Sequence, residues 1–464
     1  MSSPPTTPTQ LGPLSSQDIV LKLPHPYLTE YVIDKTPAST GSSSSAESTR
    51  YRVRQSPGPA SQADRQVLPG CLSNDDLYFT EITTLKSSEL PPQSDNTLFG
   101  RSRRSPGCTF TWDTEELPSP GQIWLLVYVI FTIQPNVEYL RLGLSGHGSD
   151  VVGQRLKDVG LAVDLPSSAG NPKGSSPSEV LLLRSSFWQG AGSPFGPRPA
   201  WTPASSPGSL PPSAPLSSFP PTPLHYTHDL VPLGDPSNPN KCHLSRHPIR
   251  PAKPQPGSVI YSRWIPHLRE TFSMIVLDPK DAEHVNYFHT WQNDPRVSQG
   301  WNETGTLEQH QKYIDDMHAD PHQVAVLARF DDTCFAYFEI YWGKEDRLGA
   351  YYDAGDFDRG RHSLVGDVRF RGPHRVSAWW SSLVHYLFLD EPRTTWVVGE
   401  PKETNSTVVM YDLMHGFEVD KFVDLPHKRS AFVRCSRERF FQLSPLGDNE
   451  KVVGGLRIGL VPKL

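Results

Sequence analysis

The chain has 464 residues, 47 of them proline, about twice the usual share of roughly 5%. Hydrophobic residues make up only 36%, so part of the chain is expected to be linker or tail, and the length suggests two or three domains. The net charge of −6 argues against a nucleic-acid binder, and five scattered cysteines without a CxxC argue against a disulfide framework or a zinc site and suit a reducing compartment.

The N-terminus has neither a basic region nor an apolar run, so no secretory signal is expected. Short structured pieces follow at Ile19–Lys35, Leu77–Leu85, Ile123–Leu144 and Glu179–Trp188, separated by Ser/Pro/Thr stretches. The apolar run Ile123–Ile133 is too short to span a membrane and is expected to be a buried helix or strand. Residues 192 to 222 hold ten prolines and seven serines, which marks a linker. From Ser258 onward proline thins out and periodic segments alternate. Strands are expected at Phe272–Leu277, Val324–Phe330, Phe335–Trp342, His362–Val368, Trp396–Gly399 and Ala431–Cys435. Helices are expected at 281–292, 306–318, Val376–Leu389 and Ser406–Met414. The division is then 1–190, a linker over 191–257, and a compact α/β domain over 258–464. The ending Pro462-Lys463-Leu464 approximates the Ser-Lys-Leu peroxisomal address, which leaves peroxisome or cytoplasm as the location.

An internal echo links the two halves. At an offset of 257, Leu126, Val127, Phe131, Pro135 and Tyr139 mirror Leu383, Val384, Phe388, Pro392 and Trp396. The N-terminal half has nothing matching Arg369-Phe370-Arg371-Gly372, so it reads as a degenerate copy that kept its packing and lost one loop.

That loop carries the chemistry. A strand that ends in an Arg/Gly-rich turn and opens a helix offers free N–H groups and a helix dipole to an anion such as a pyrophosphate. Arg369, Arg371 and Arg375 add positive charge there. Arg369-x-x-Gly372-x-His374, followed by helix, strand and Asn405, resembles the acyl-CoA motif of the GNAT acyltransferases, with His374 where Gly or Ala is normal. Three further runs resemble the siderophore-synthesis members of that family: His289-x-Trp291-x-Asn293-Asp294-Pro295-Arg296-Val297 with Gly300-Trp301; Tyr337-Phe338-Glu339-Ile340-Tyr341-Trp342 with Asp346-Arg347-Leu348-Gly349; and Asp358 to Asp367. The resemblance covers about residues 270 to 445. It implies a GNAT acyltransferase fold in the C-terminal half, with a GNAT-like copy before it.

The resemblance also implies a reaction. The co-substrate is acyl-CoA, no cofactor stays bound, and the acceptor is N-hydroxyornithine, on which the enzyme forms a hydroxamate by transferring an anhydromevalonyl group. N-hydroxylation leaves that nitrogen largely neutral near pH 7, so positioning matters more than a strong base. His362 is the implied catalytic residue, orienting the hydroxylamine and accepting its proton. A core histidine bonded to a carbonyl is the bland alternative. Glu400 would hold the substrate ammonium or polarise His362, or else be a strand-end salt bridge. Tyr411 is a candidate to protonate the leaving thiolate, but it lies six residues after Asn405 where the family usually has seven, which favours core packing. Backbone donors for the oxyanion are expected around Gly366, Asp367 and Val368, and CoA contacts from Arg369, Arg371, Gly372, His374, Arg375 and Asn405, the last also suited to an N-cap. Trp301, Asn302, Glu339 and Tyr341 are candidate walls of the hydroxyornithine pocket, or ordinary core. No metal is expected. Partners are expected to be small molecules, with a homodimer left open, and neither nucleic acid nor membrane insertion. The rival readings are an acetyl-CoA-dependent N-hydroxyornithine acetyltransferase and a non-catalytic CoA- or partner-binding protein.

Overall fold

A computed structural model describes residues 18–36, 49–57, 70–166, 178–196, 198–203, 224–443, 446, 450–453 and 456–459. Most of the proline-rich stretch and the Pro462–Leu464 ending lie outside these residues. The chain forms two units, Met1–Ala200 and Trp201–Leu464.

The first unit runs β1 (Leu21–Lys22), β2 (Glu30–Thr36), β3 (Arg50–Gln55), β4 (Leu77–Thr80), α1 (Leu98–Arg104), β5 (Gly107–Trp112), α2 (Pro120–Ile133), β6 (Tyr139–Ser145), α3 (Ser149–Asp158), β7 (Ala162–Asp164), β8 (Glu179–Leu183) and α4 (Arg184–Trp188). Its sheet has the order β1-β2-β3-β4-β5-β6-β8-β7. The apolar run expected to be buried is α2. Ser119 and Gln122 close a capping box at its start, Pro120 sits where no N–H is needed, and Ile123 to Phe131 are buried.

The second unit opens with a hairpin, β9 (Tyr226–Pro232) and β10 (Cys242–Pro248). The expected linker over 191–257 therefore does not run through to its end. The hairpin packs by polar contacts: Tyr226 donates to Asp356 and Ser245 to the Lys344 carbonyl. Then come β11 (Val259–Ile265), β12 (Glu270–Val276), α5 (Ala282–Gln292), α6 (Pro295–Trp301), α7 (Leu307–Ala319), β13 (Gln323–Phe330), β14 (Thr333–Trp342), β15 (Arg359–Val365), α8 (Pro373–Asp390), β16 (Trp396–Gly399), α9 (Ser406–Met414), β17 (Glu418–Leu425), β18 (Lys428–Ser436) and α10 (Arg437–Gln442). The order β11-β12-β13-β14-β15-β16-β18-β17 repeats the first sheet strand for strand, and each sheet has one parallel pair at the same place. The duplication read from the sequence is an architectural one.

The expected strand at His362–Val368 lies three residues earlier. Asp367 ends it by accepting from the Arg369 N–H and starting a 3-10 turn over Val368–Phe370. Helix α8 begins after Gly372, whose φ of +124° disfavours any side chain, and is buried from Val376 to Leu389.

The two parallel pairs differ in length. In the first sheet β5 and β6 pair over five residues, Gly107↔Arg141 to Thr111↔Ser145. In the second, β15 pairs with β16 only at Arg359↔Val397 and Gly360↔Val398, then diverges. A Cβ at Gly360 would stand 2.0 Å from the Tyr341 ring, so glycine is required at the point of divergence. Beyond it, Arg361 reaches from β15 to the buried Asp412 of α9 and lies over the Trp380 ring.

Candidate active site

The divergence opens a cavity of about 720 Å³, walled by β15, the end of β16, the start of α9, α6 and the β17–β18 turn. His362 projects into it from β15 with its side chain about a quarter exposed (27%). Both ring nitrogens are engaged: Nδ1 with Glu339 Oε2 (2.9 Å) and Nε2 with Glu400 Oε1 (2.6 Å). Glu339 lies directly across the β14–β15 ladder from His362, and Glu400 follows the last residue of β16. Each carboxylate is held in turn. Tyr313 and Tyr337 donate to Glu339 Oε1 (2.7 and 3.1 Å); Tyr341 donates to Glu400 Oε2 (2.9 Å), and Lys428 Nζ lies 3.6 Å from Glu400 Oε1.

Charge follows from this geometry. Burial works against a charged imidazole, but the Glu400 and Glu339 carboxylates outweigh it and raise the His362 pKa to about 10. Burial would raise the Glu400 pKa, yet His362 and Lys428 carry it well below the usual carboxylate range. At neutral pH the centre is an imidazolium between two carboxylates.

Of the expected residues, His362, Glu400, Trp301, Asn302, Glu339 and Asn405 line the cavity. Trp301 meets the His362 ring edge-on at 6.1 Å. Asn405 caps α9 by accepting from the Val408 N–H. Tyr341 is buried behind Glu400 instead of forming a wall. Tyr411 packs on Trp380 (5.8 Å) and is not among the lining residues; the one-residue shorter spacing turns Asp412 inward to meet Arg361.

The backbone donors also differ from expectation. The N–H groups of Gly366 and Asp367 both donate to the Phe335 carbonyl (2.9 and 3.0 Å), and Val368 is an exposed residue of the 3-10 turn. By the alternation of an antiparallel ladder, the N–H groups of His362 and Leu364 face β14 as well. Those of Ser363 and Val365 face the edge that β16 has left. Arg296 fixes that edge by donating to the Val365 and Gly366 carbonyls (2.9 and 2.8 Å).

In the turn before α8, Arg369 and Arg371 are exposed, and Arg369 is paired with Asp367 (2.6 Å). Arg375 is committed elsewhere, bonding Glu270 twice (2.6 and 3.2 Å) and lying over the Phe330 and Phe370 rings. His374 is exposed at the start of α8, and its carbonyl accepts from His267. Gly372 gives the helix its opening.

Sequence reasoning missed Arg347, Glu303, His427 and Lys428 as cavity residues. Burial and the Glu339 charge push the Glu303 carboxyl up. Arg347 stood inside a quoted motif, whereas His427 and Lys428 sit in a turn with no local signal.

Among its described residues the first unit lacks this centre. At the 257-residue offset Gly143 falls on Glu400, and the β5–β6 register pairs it with Thr109, in the place of His362. Thr80, whose hydroxyl accepts from the Thr109 N–H (3.0 Å), stands where Glu339 would. The segment after β5 carries Asp113, Glu115 and Glu116 where the second unit has arginines.

A splayed α/β sheet with donors on the open edge of one strand, followed by a glycine-led helix, defines the second unit as a GNAT acyltransferase. The acetyltransferase (GNAT) domain family matches residues 280–425. Over 98% of this chain and 99% of the relative, the sequence is 58% identical to the N(5)-hydroxyornithine:cis-anhydromevalonyl coenzyme A-N(5)-transacylase SIDF of Beauveria bassiana. It is 55% identical to the putative O-acetyltransferase SAT14 of Stachybotrys chartarum (99% and 100% covered), and 49% identical to the hydroxyornithine transacylase SID3 of Ajellomyces capsulatus (92% and 94%). The chain belongs to the hydroxyornithine transacylase family. It is an acyltransferase that uses acyl-CoA as co-substrate. Among the described residues no helix is long and apolar enough to cross a membrane.

Proposed function

We propose that the protein transfers an anhydromevalonyl group from CoA to the hydroxylated side-chain nitrogen of N5-hydroxyornithine, giving the hydroxamate used in siderophore assembly for iron acquisition. The observation that carries this reading is the end-to-end similarity to the Beauveria bassiana transacylase. The cavity supports it, since Arg347 and Lys428 offer charge to an α-carboxylate and Glu303 to an α-ammonium.

The neutral hydroxylamine nitrogen attacks the thioester carbon, forming C–N. The carbonyl oxygen gathers negative charge facing the Ser363 and Val365 N–H groups. As C–S breaks, nitrogen sheds its proton and the departing sulfur gains one. His362 acts as a charged orienter, fixing Glu400 and Glu339 around the incoming nitrogen. A ring with a pKa of about 10 is already protonated, so the trio takes up the nitrogen's proton as a unit and returns one to the departing thiolate, leaving the centre as it began. The pyrophosphate of CoA lies at the start of α8 with Arg369 and Arg371.

The test is purified chain with N5-hydroxyornithine and a panel of acyl-CoAs, scored by ferric hydroxamate colour. Product is expected with anhydromevalonyl-CoA in preference to acetyl-CoA. Preference for acetyl-CoA would make the enzyme an acetyltransferase, and no product with any donor would leave only a binding role. The ending Pro462-Lys463-Leu464 supports a peroxisomal location.

A further inference from the structure

We propose that Asp229, His247 and His322 form a binding site for one divalent cation of the zinc type, where the β9–β10 hairpin meets the start of β13. His247 and His322 each end a His-x-x-x-His spacing, but the three ligands come from three separate segments. Asp229 lies on β9, His247 on β10 and His322 just before β13, and only the fold brings them together. Asp229 pairs with Ser245 across the hairpin, which puts His247, two residues on, on the same face.

The donor atoms converge. Asp229 Oδ2 lies 3.0 Å from His247 Nε2 and 3.3 Å from His322 Nε2, and the three ligand atoms fall within 4.8 Å of one another. A tetrahedral ion with bonds of about 2.0 Å separates its ligands by about 3.3 Å, close to the two spacings at Asp229, while the two histidine atoms lie within 4.8 Å of each other.

The outer contacts point the same way. His247 Nδ1 faces acceptors only, the Pro248 carbonyl (2.9 Å) and Glu345 Oε1 (2.8 Å), so it carries the proton. His322 Nδ1 faces Asp320 Oδ1 (3.1 Å). Both Nε2 atoms are aimed at the Asp229 carboxylate, which sets three possible ligand atoms around one point. A carboxylate behind each ring is the arrangement that orients metal-ligating histidines. Both carboxylates are fixed in turn: Arg250 holds Glu345, with Nη2 at 2.6 Å, and Gln323 donates to Asp320 Oδ2 (2.8 Å). Asp229 is half exposed, which leaves room for a water as fourth ligand.

The ion would tie the hairpin, whose loop brings Gly234 to the cavity, to the turn in which Glu345 precedes Arg347. The site is independent of the acyl-transfer centre and of the donor assigned above.

The test uses the full-length, tag-free chain, stripped with a chelator, dialysed against zinc chloride and assayed for bound metal. One zinc per chain is expected, with affinity at least about tenfold weaker in Asp229→Asn and in His322→Gln. No zinc on the unmutated chain, or unchanged affinity in folded variants, overturns the proposal. Cobalt(II) on the unmutated chain gives a readout that does not depend on variant folding: visible d–d absorption is expected, and its absence counts equally against the site. Two doubly protonated histidines in place of a metal would show as zinc-free protein in both assays.

Discussion

Replacing Glu400 by Gln separates a charged His362 from a neutral one. The rise of the His362 pKa from 6.5 to about 10 is worth about 5 kcal/mol at 1.36 kcal/mol per pH unit, after burial has opposed it. Glu400 and Glu339 share that effect, so the Gln variant keeps one carboxylate and is expected to titrate about two pH units lower, near 8. The side chain stays the same size and keeps an acceptor for the Tyr341 hydroxyl, which limits the change to charge. The assay is the pH dependence of kcat/KM by hydroxamate formation, with His362 followed by NMR of the labelled imidazole. Unmutated enzyme is expected to hold its rate from pH 7 to pH 9 and lose it as pH rises through about 10; the variant loses its residual rate around 8. Folding stability follows the same sign. A raised histidine pKa stabilises fully below pH 6.5, and the contribution disappears as pH rises through about 10. An unmutated profile that climbs through pH 6.5 would refute the charged-orienter reading, because it would identify the neutral imidazole as the active form.

The remaining predictions concern parts of the second unit with separate roles. Arg361→Met leaves Asp412 buried without its cation, and thermal melts are expected to show a loss of roughly 3–5 kcal/mol; a loss below about 1 kcal/mol would contradict the pairing. Arg369→Ala and Arg371→Ala are expected to raise KM for acyl-CoA several-fold with kcat and melting temperature nearly unchanged. Arg375→Ala should instead lower the melting temperature, because it removes the bond to Glu270 and the cover over Phe330 and Phe370. Equal KM effects from all three would return Arg375 to the CoA site. Deleting Pro462 to Leu464 from a fluorescent fusion is expected to move it from peroxisomes to the cytosol, and an unchanged pattern counts against the address.

The elements legible in the sequence were those with strong periodicity or clear stops. Trp396–Gly399 and Ser406–Met414 fall where the sequence puts them, because a short apolar run and an Asn cap mark their limits. Strand β11 was hidden because buried Ser262 and Arg263 interrupt its apolar pattern; the Arg263 guanidinium is satisfied by Ser382 and two carbonyls, Ala378 and Leu446. Edge strand β17 was hidden by its charged, mostly exposed residues. The site divides similarly. His362 and Glu400 could be named from motif resemblance, but nothing local shows that Glu339 completes the trio. That follows from the β14–β15 register, which sets residues 23 apart in sequence side by side. The error at Gly366 and Asp367 has the same origin, since which N–H groups face the open edge depends on ladder parity.

The two halves share a strand order and differ at their central parallel pair. Both keep the strand order, and each keeps a buried helix after the fifth strand. In the first half β5 and β6 stay paired where β15 and β16 part, so the strand edge that faces the cavity in the second unit is covered in the first. Thr109 and Gly143 fit that closed ladder, with a Cβ at Gly143 coming 3.0 Å from the Thr109 hydroxyl, whereas a histidine and a glutamate need the space that divergence creates. Asp113, Glu115 and Glu116 would further repel a pyrophosphate. Sheet closure, loss of the trio and reversal of loop charge agree with one another. Among the described residues, the parted parallel pair and the His362–Glu339–Glu400 trio both belong to the second unit.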